Sequence, residues 1–579
     1  MSTSVQPTHL AGTAATRTLR ALLIGLLTLG LSCLAPASAQ AATATNNPNF
    51  TANVMAPLWV SGADMPAFEA QIKTAKEYGV DAVSVDIWWG KVETSDQVFD
   101  WSYYDTLFAK IKAQGLKVVP ILSFHTCGGN VGDECNFPIP GWLWGKYTGA
   151  TLNGVTLDGN GLKYKSEQGN FSSETIQAWA DPLVVGEYSA FATAFKSKYG
   201  TAYANDFQEI NVSLGPAGEL RFPSYNSHDT GAGYPSRGAL QAYSPLAVAD
   251  FRTSIMAKYG TLAAVNTAWG SSLTSTTQIN PPSDAGYFFS SGDYKNIRYG
   301  KDFIDWYNQS LITHGKSVLN AVSSALGTSF PGTPLGYKVP GVHWAMTNPA
   351  YPRAAEVAAG LVQTSVDMNA DATGHGYAKI VELAQQITTT RPVILHFTCL
   401  EMANTDVAPH YSRAQDLVFW VANYAGSKGV PIKGENALSG GVSSSAGWDQ
   451  IVNAFDWAPY TGLTVLRVAN VSSGLGMSRY ASFIARYRQQ VTVHYAEPAS
   501  ASSYSLHPWN GLTGDRAMTY EGYIGGRHWW KVTITGTPTF NFCFVSGGGT
   551  WDGANRWYSA NSTHIYVLPG STNVAITRP

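Results

Sequence analysis

The sequence predicts an α/β protein, a (β/α)8 barrel followed by a small all-β sandwich, from two observations. Between about residues 55 and 487, short apolar runs alternate with segments of helical periodicity, which indicates a parallel sheet covered by helices. Beyond about residue 490, apolar residues alternate with period two between turns rich in Gly, Ser and Asn. A chain of 579 residues is too long for one ordinary domain, so a large core with an appendage is expected.

Eight apolar runs are the candidate barrel strands. Between the second and third runs, Trp101, Tyr104, Leu107, Phe108 and Ile111 form the apolar stripe of an amphipathic helix. Long stretches separate the third run from the fourth and the fourth from the fifth, and we interpret them as loops of the catalytic face. The eight runs are residues 54–60, 82–89, 117–125, 207–214, 335–344, 392–399, 430–434 and 463–468.

The C-terminal region is interpreted as a sandwich on three alternating segments, residues 491–495, 530–534 and 540–544. Residues 498–503 are expected to form a loop inside it. Trp529 and Trp530 are adjacent in a strand, so only one of them should face the sandwich core.

The first 39 residues have the pattern of a signal peptide: arginines, the apolar run 21–35, and the A-x-A cleavage site at residues 37–39. We therefore expect an exported, soluble protein with a barrel over residues 40–489 and a sandwich over residues 490–579. Export permits disulfides. Cys127 and Cys135 bracket a short loop that they could close, and the alternative is two free thiols.

Composition favours a neutral ligand. Charged residues make up 13% of the chain, against roughly 25% in typical soluble domains. The formal net charge is -2, and no run of Lys and Arg indicates nucleic acid. The 18 Trp and 30 Tyr fit a polysaccharide, because aromatic faces stack on sugar rings. A large aromatic core is the alternative explanation.

Polar side chains occur at or just beyond the C-terminal ends of seven predicted strands. In a barrel these ends converge on one pocket. Without a Ser-His-Asp arrangement or a metal-ligand cluster, two carboxylates across the pocket are the simplest catalytic pair, and glycoside hydrolysis uses such a pair. The strand-end residues are Asp86, His125, Glu219, Lys338, His343, Thr398, Glu435 and Arg467.

At these positions the chain resembles the β-amylases of glycoside hydrolase family 14. Six short segments match the family's motifs, and they run in the family's order between about residues 55 and 487. The segments are residues 85–90 (VDIWWG), 124–133 (FHTCGGNVGD), 215–225 (GPAGELRFPSY), 341–344 (GVHW), 397–402 (FTCLEM) and 434–438 (GENAL).

The resemblance implies an inverting exo-hydrolase that releases β-maltose from α-1,4-glucan without a cofactor for the chemistry. Glu219 corresponds to the general acid and Glu435 to the general base. Their carboxyl groups should lie about 6.5–9.5 Å apart to admit the attacking water. Thr398 resembles the residue that orients this water.

The resemblance also implies the substrate-binding residues. Asp133 ends a glycine-rich segment, residues 128–133, that would close over substrate as a lid. Leu438 would fill the space inside a turn of bound glucan, or it is an ordinary core leucine. The implied set is Asp86, His125, Asp133, Lys338, His343, Asn436, Ala437, Leu438 and Arg467.

A structural calcium ion is a further implication, because bacterial relatives bind one through carboxylates. Glu93, Asp96 and Glu187 are the candidate ligands, and solvated surface acids are the alternative. The match departs from the family at Ala190, where a further carboxylate would be expected, and calcium needs six to eight oxygen ligands.

The C-terminal region resembles starch-binding modules of carbohydrate-binding module family 25, with His507, Trp509 and Trp551 as candidate sugar contacts. The expected partners are starch and related glucans, with no nucleic acid or membrane, and a monomer is expected. Two alternatives remain for the barrel. It could be another glucanase that cuts internally, or an inactive protein that binds or senses glucan.

Overall fold

The computed structural model describes residues 50–128, 133–226, 228–497, 502–536 and 539–579. The predicted signal peptide lies outside these residues. So do residues 129–132 of the predicted lid and residues 498–501 of the predicted sandwich loop.

Eight parallel strands close into a barrel in the order β1-β8-β7-β6-β5-β4-β3-β2, so the predicted (β/α)8 fold is confirmed. Apolar side chains fill its strands because both faces of a barrel sheet are covered. The strands are β1 (Thr51–Met55), β2 (Ala82–Trp88), β3 (Lys117–Ser123), β4 (Ile210–Val212), β5 (Leu335–Val339), β6 (Val393–Phe397), β7 (Ile432–Glu435) and β8 (Tyr460–Val465).

The first strand lies earlier than the apolar run 54–60 that predicted it. Ala52 and Asn53 pair with Leu463 and Thr464 of β8. Pro57 has no amide hydrogen to donate to a strand ladder, and β1 ends two residues before it. The second half of that run therefore lies in the loop that follows the strand.

Helices surround the barrel. The stripe predicted after β2 lies on helix α3, where Tyr104, Leu107, Phe108 and Ile111 are buried. The helices are α1 (Met65–Glu77), α2 (Trp89–Val92), α3 (Ser102–Ala113), α4 (Leu143–Lys146), α5 (Asp181–Tyr199), α6 (Pro245–Tyr259), α7 (Leu262–Trp269), α8 (Ala285–Ser290), α9 (Asp293–Asn296), α10 (Arg298–Leu326), α11 (Ala354–Ala358), α12 (Ala378–Glu382), α13 (Ala414–Lys428), α14 (Ser445–Trp457) and α15 (Gly474–Arg488).

The two long separations between strands contain more regular structure than loops alone. The stretch between β3 and β4 contains α4, two short hairpins and α5. The stretch between β4 and β5 contains α6 to α10, and α10 packs against α5 in the outer layer. Only part of each separation is therefore available to form the catalytic face.

Two four-stranded sheets follow the barrel, in the orders β12-β13-β9-β16 and β11-β10-β14-β15. Neighbouring strands are antiparallel, except that β16 runs parallel to β9. The strands are β9 (Gln490–Glu497), β10 (Tyr504–Trp509), β11 (Arg516–Ala517), β12 (Thr519–Ile524), β13 (Arg527–Thr535), β14 (Phe540–Ser546), β15 (Arg556–Tyr558) and β16 (His564–Val567).

The two adjacent tryptophans of β13 point in opposite directions, as predicted, and both are buried. Trp530 lies in the core between the sheets. Trp529 packs on the other face with Tyr566, and the Arg578 guanidinium covers its ring at 4.5 Å. The C-terminal tail therefore shields the face that the alternation pattern alone leaves open.

The sheet that contains β13 and β16 contacts the barrel at the end of α1, through the face on which Trp529 and Tyr566 lie. Thr563 Oγ1 donates to the Tyr78 carbonyl at 2.9 Å, and Tyr566 Oη donates to the Glu77 carbonyl at 3.0 Å. Because α1 leads into the N-terminal end of β2, this contact lies at the end of the barrel opposite the C-terminal strand ends.

Candidate active site

The structure gathers the predicted strand-end residues at one end of the barrel. Asp86 lies on β2, Lys338 on β5, and Glu435 is the last residue of β7. The other five follow a strand end in the chain: His125 after β3, Glu219 after β4, His343 after β5, Thr398 after β6 and Arg467 after β8.

A tight turn holds Glu219 in place. Gly215 begins the turn, and a Cβ there would lie 2.4 Å from the Glu219 carbonyl oxygen, so only glycine fits. After the turn the chain runs beside β5, where the Leu220 amide donates to the Lys338 carbonyl at 2.8 Å. The backbone of Glu219 therefore runs beside the backbone of Lys338.

The Glu219 carboxyl group has a raised pKa. Burial raises the pKa of Glu219, while the nearby Arg221 guanidinium and Lys338 ammonium act to lower it. Arg221 Nε donates to Glu219 Oε2 at 3.0 Å. Arg221 is itself 1% exposed, and its guanidinium stacks 4.1 Å from the centre of the Tyr225 ring. The protonated form of Glu219 is therefore favoured relative to an exposed glutamate.

Glu435 has a different environment, because a lysine binds both of its oxygens. Lys338 Nζ lies 3.0 Å from Oε1 and 2.8 Å from Oε2 of Glu435. Both side chains are almost fully buried. An ammonium group bonded to both oxygens fixes the orientation of the Glu435 carboxyl group.

The segment after Glu435 is fixed by two side chains. Asn436 is fully buried and bonds to the Leu466 backbone through both its oxygen and its nitrogen. The Glu401 carboxylate accepts the backbone amides of Ala437 at 3.0 Å and Leu438 at 2.8 Å. The Leu438 side chain is 47% exposed, so this leucine is not a core residue.

Thr398 is oriented by the loop after β5. Its Oγ1 accepts the Gly341 amide at 2.9 Å. A Cβ on Gly341 would lie 2.1 Å from Cys399 Sγ, so the two loops approach closely only because residue 341 is glycine. Thr398 is buried, and its oxygen is held at the end of β6.

The two histidines of the site are buried and bonded to serines. His125 Nδ1 bonds to Ser213 Oγ at 2.8 Å, and His343 Nδ1 bonds to Ser412 Oγ at 2.7 Å. Burial lowers the pKa of each histidine to about 4. Both imidazoles are therefore neutral near pH 7 and can exchange hydrogen bonds with hydroxyl groups.

Asp86 and Arg467 also bond within the barrel. Asp86 Oδ1 accepts from Ser123 Oγ at 2.9 Å. Arg467 Nη1 donates to the Ala56 carbonyl at 3.1 Å, which ties the ends of β8 and β1 together. Asp133 Oδ2 accepts the Gly128 amide at 3.0 Å across the undescribed residues 129–132.

The Cys127–Cys135 disulfide is present, with the two Cα atoms 5.7 Å apart. The Cys127 and Phe137 backbones form an antiparallel bridge beside it. The disulfide therefore closes the base of the segment that contains Asp133. Cys399 and Cys543 are buried free thiols.

Two of the three candidate calcium ligands bond to one lysine. Lys146 Nζ lies 2.8 Å from Asp96 Oδ2 and 2.7 Å from Glu187 Oε1. Glu93 is buried nearby and bonds to Trp89 and Gln97. Within the described part of the chain, no group of three or more His, Cys, Asp or Glu side chains is arranged to hold a metal ion.

The candidate starch contacts form one aromatic cluster on the β10 sheet. The His507 ring lies 5.0 Å from Trp551 and 6.1 Å from Trp509. Asp515 Oδ1 bonds to His507 Nδ1. Trp551 is 52% exposed, so its ring is available to a sugar.

Arg221 and Glu401 were not predicted as site residues. Both lie inside quoted motifs, Arg221 two residues after Glu219 and Glu401 three residues after Thr398. The available signal is their charge: Glu401 is the one charged residue of segment 397–402, and Arg221 follows Glu219 in segment 215–225. The partner of each residue is set by tertiary packing, which the sequence does not show.

Comparison with known proteins shows the family of the chain. Residues 54–490 match the model of glycosyl hydrolase family 14. A thermophilic β-amylase of Thermoanaerobacterium thermosulfurigenes is 36% identical over 95% of this chain and 97% of its own length. A β-amylase of Niallia circulans is 34% identical over 94% of this chain and 92% of its own.

A solved structure is also similar. The catalytic domain of a β-amylase from Paenibacillus polymyxa aligns with a TM-score of 0.64 and 38% identity, over 74% of this chain and 94% of that domain. No helix among the described residues has the length and apolar character needed to cross a membrane. The chain belongs to glycosyl hydrolase family 14 and is a glycoside hydrolase.

Proposed function

We propose that this chain is a β-amylase that removes β-maltose from the non-reducing ends of α-1,4-glucan with inversion at the anomeric carbon. Glu219 is the general acid and Glu435 the general base. The observation that carries the assignment is the contrast between their surroundings. Burial raises the pKa of Glu219, whereas Lys338 binds both oxygens of Glu435.

The contrast supports one direction of proton transfer. Glu219 donates its proton to the glycosidic oxygen as the bond to the anomeric carbon breaks. Glu435 takes a proton from a water molecule that attacks that carbon from the opposite face. The hydroxyl adds opposite to the leaving group, so the α-linkage yields a β-anomer. Both carboxyl groups then exchange protons with solvent and return to their starting states.

The remaining residues of the pocket bind the sugar in this proposal. The neutral imidazoles of His125 and His343 suit glucose hydroxyls, which both donate and accept hydrogen bonds. Thr398 Oγ1 orients the attacking water. The exposed Leu438 side chain packs inside the turn of the glucan. Asp86, Ala437 and Arg467 line the sugar subsites, Asn436 holds the segment that carries Ala437 in place, and Asp133 contacts the glucan from its own loop.

The configuration of the first product tests the mechanism. Proton NMR during the first turnovers on maltopentaose should detect the β-anomer of maltose before mutarotation. Initial release of α-maltose would reject inversion. Chromatography of the same digest should show maltose as the earliest product, whereas a ladder of longer oligosaccharides would indicate internal cleavage.

Conservative substitutions test the two roles. Glu219→Gln and Glu435→Gln should each fold and retain less than about a hundredth of the activity, because positioned acid–base groups contribute about 10²–10⁴-fold. The wild-type melting curve is the control for folding. A variant that keeps more activity would remove that residue from its role.

We also propose that the C-terminal sheets bind starch through His507, Trp509 and Trp551. The exposed Trp551 ring and the clustered His507 ring support this role.

Export is proposed from the leader pattern of residues 1–39. N-terminal sequencing of protein recovered from the culture medium should then begin after Ala39.

A further inference from the structure

A lysine bonds to two of the three carboxylates in the acidic cluster that resembles a calcium site. The cluster consists of Glu93, Asp96 and Glu187, and Lys146, the last residue of helix α4, contacts Asp96 and Glu187. Its ammonium group lies 2.8 Å from Asp96 Oδ2 and 2.7 Å from Glu187 Oε1. The Glu187 side chain is 7% exposed, while the Lys146 side chain is 30% exposed, so only the glutamate end of this pair is removed from water.

The Glu93 and Glu187 carboxylates also accept hydrogen bonds from other groups of this chain. Tyr147 Oη donates to Glu187 Oε1. Trp89 Nε1 donates to Glu93 Oε2 at 2.7 Å, and the Gln97 amide donates to Oε1 at 2.9 Å. Each of the three carboxylates is therefore already bonded to hydrogen-bond donors from this chain.

This donor set does not fit calcium. A calcium ion takes six to eight oxygen ligands at about 2.3–2.6 Å. Lys146 brings a positive charge to the position between Asp96 and Glu187, where a cation would repel it. Both oxygens of Glu93 point to the indole and amide donors of its own loop.

We propose that the Lys146 ammonium group takes the place of the structural calcium ion in this enzyme, so that the fold is stable without calcium. The cluster still joins three segments: the loop after β2 through Asp96, helix α4 through Lys146, and helix α5 through Glu187. The single positive charge of Lys146 offsets one of the two negative charges of Asp96 and Glu187, and it lies between the two carboxylates as a cation would. The Lys146 ammonium also lies 5.0 Å from the centre of the Trp142 ring.

The first test measures the melting temperature of the full-length enzyme in EDTA and in excess calcium chloride. The two values should agree, because no calcium ion is lost or gained at the cluster. Equilibrium dialysis against radioactive calcium should find less than one ion bound per chain. A melting temperature that falls in EDTA and recovers with calcium would overturn the proposal.

The second test removes the lysine. Lys146→Ala removes the positive charge between Asp96 and Glu187 and opens space for an ion with its water ligands. Its melting temperature should fall by several degrees in EDTA and rise again when calcium is added. Magnesium should have a smaller effect, because it binds in a smaller and stricter octahedral geometry.

Two matched variants control the result. Lys110→Ala removes a lysine that pairs with Glu69 on the outer helices at 2.8 Å, and it should not respond to calcium. Lys146→Arg keeps the charge and should resemble the wild type in both solutions. If Lys146→Ala does not respond to calcium, the lysine and the ion are not alternatives at one site, and the proposal fails. If that variant does not fold, the wild-type melting and dialysis measurements decide.

Discussion

Glu219 and Glu435 each have a cationic neighbour, but the two contacts differ in geometry. Arg221 Nε donates to a single oxygen of Glu219, while Lys338 Nζ bonds to both oxygens of Glu435. The contact with Arg221 leaves the other oxygen of Glu219 without that donor, whereas Lys338 contacts both oxygens of Glu435. The proposed difference in role between the two glutamates rests on this difference between their immediate partners.

The Lys338–Glu435 pair gives a prediction at this scale. Lys338→Met leaves the buried Glu435 carboxyl group without its partner, so the free energy of unfolding should fall by about 3–5 kcal/mol. Activity should fall by at least about 100-fold, because the base loses its orientation. Chemical denaturation monitored by fluorescence measures the first effect, and a maltopentaose assay measures the second.

The double variant Lys338→Met/Glu435→Gln is the control. It removes both charges of the pair, so most of the lost stability should return while the enzyme stays inactive. Equal stability of the single and double variants would mean that the buried charge is not the cause of the loss.

Arg221 gives a prediction about pH. The guanidinium lowers the pKa of Glu219, so Arg221→Gln should raise that pKa further. A general acid works only while it is protonated, and activity is lost as the pH rises through its pKa. The alkaline limb of the kcat/KM profile should therefore move to higher pH. Arg221→Lys keeps a positive charge and should lie closer to the wild type. An alkaline limb at or below the wild-type position would contradict this account.

The residues of the pocket differ in how far the sequence could predict them. Lys338 and Glu435 follow from their positions at strand ends, because strand ends converge whatever the loops do. Glu219 lies in the turn after β4, and the motif of its segment predicts it. Arg221 and Glu401 lie in loops, and their partners depend on how two loops pack. The pairing of Lys338 with Glu435 required the barrel register, since it joins β5 to β7 across the pocket.

At the scale of elements, the loop after β6 supports the loop after β7. Glu401 lies in the first loop, and its carboxylate accepts the amides of Ala437 and Leu438 in the second. Burial raises the pKa of Glu401, and these two amides oppose the rise. The position of the segment that follows Glu435 therefore depends on one carboxylate from the neighbouring strand connection.

Glu401→Gln tests this support. The glutamine side chain has one carbonyl oxygen, so one of the two backbone amides loses its acceptor, at a cost of about 1–3 kcal/mol. We expect a lower melting temperature and a lower kcat, because the segment after Glu435 shifts. Glu382→Gln, at a partly exposed carboxylate bonded to Tyr424, is the matched control. If Glu401→Gln has the same melting temperature and the same kcat as Glu382→Gln, Glu401 does not position the segment.

The predictability of the elements follows the same physical division. Buried barrel strands appear as apolar runs because both of their faces are covered, and the sequence predicts all eight of them. The predicted position of the first strand is too late in the chain, because its apolar run continues past Pro57 into a loop. In the C-terminal sheets only three of eight strands were named. Strands such as β12 are largely exposed, so burial does not impose a regular pattern of apolar residues on them.

At the scale of the whole molecule, the C-terminal sheets and the active site lie at opposite ends of the barrel. Thr563 and Tyr566 contact the end of α1, and the Arg578 amide donates to Glu77 Oε2 at 3.1 Å. A sugar held by Trp551 therefore does not enter the pocket directly. The proposed benefit of the sheets is a higher local concentration of enzyme on the starch surface.

Removal of the sheets tests this arrangement. A chain that ends after Arg488 should hydrolyse soluble maltodextrins at close to the full-length rate, because every strand-end residue of the pocket remains. It should melt at a lower temperature, because Tyr78 loses the cover of Thr563 and Glu77 loses its bonds to Tyr566 and Arg578. Adsorption to starch granules should weaken clearly.

Single substitutions separate binding from stability in the full-length enzyme. Trp551→Ala should reproduce part of the loss of granule adsorption without changing the melting temperature, because the ring is half exposed. Trp457→Ala, at an exposed tryptophan at the end of α14, should leave adsorption unchanged. Granule binding that is equal for the full-length, truncated and Trp551→Ala enzymes would make the sheets a structural support of the barrel. A loss of soluble activity on truncation, measured at a temperature where the barrel stays folded, would show that the sheets act on the pocket through α1.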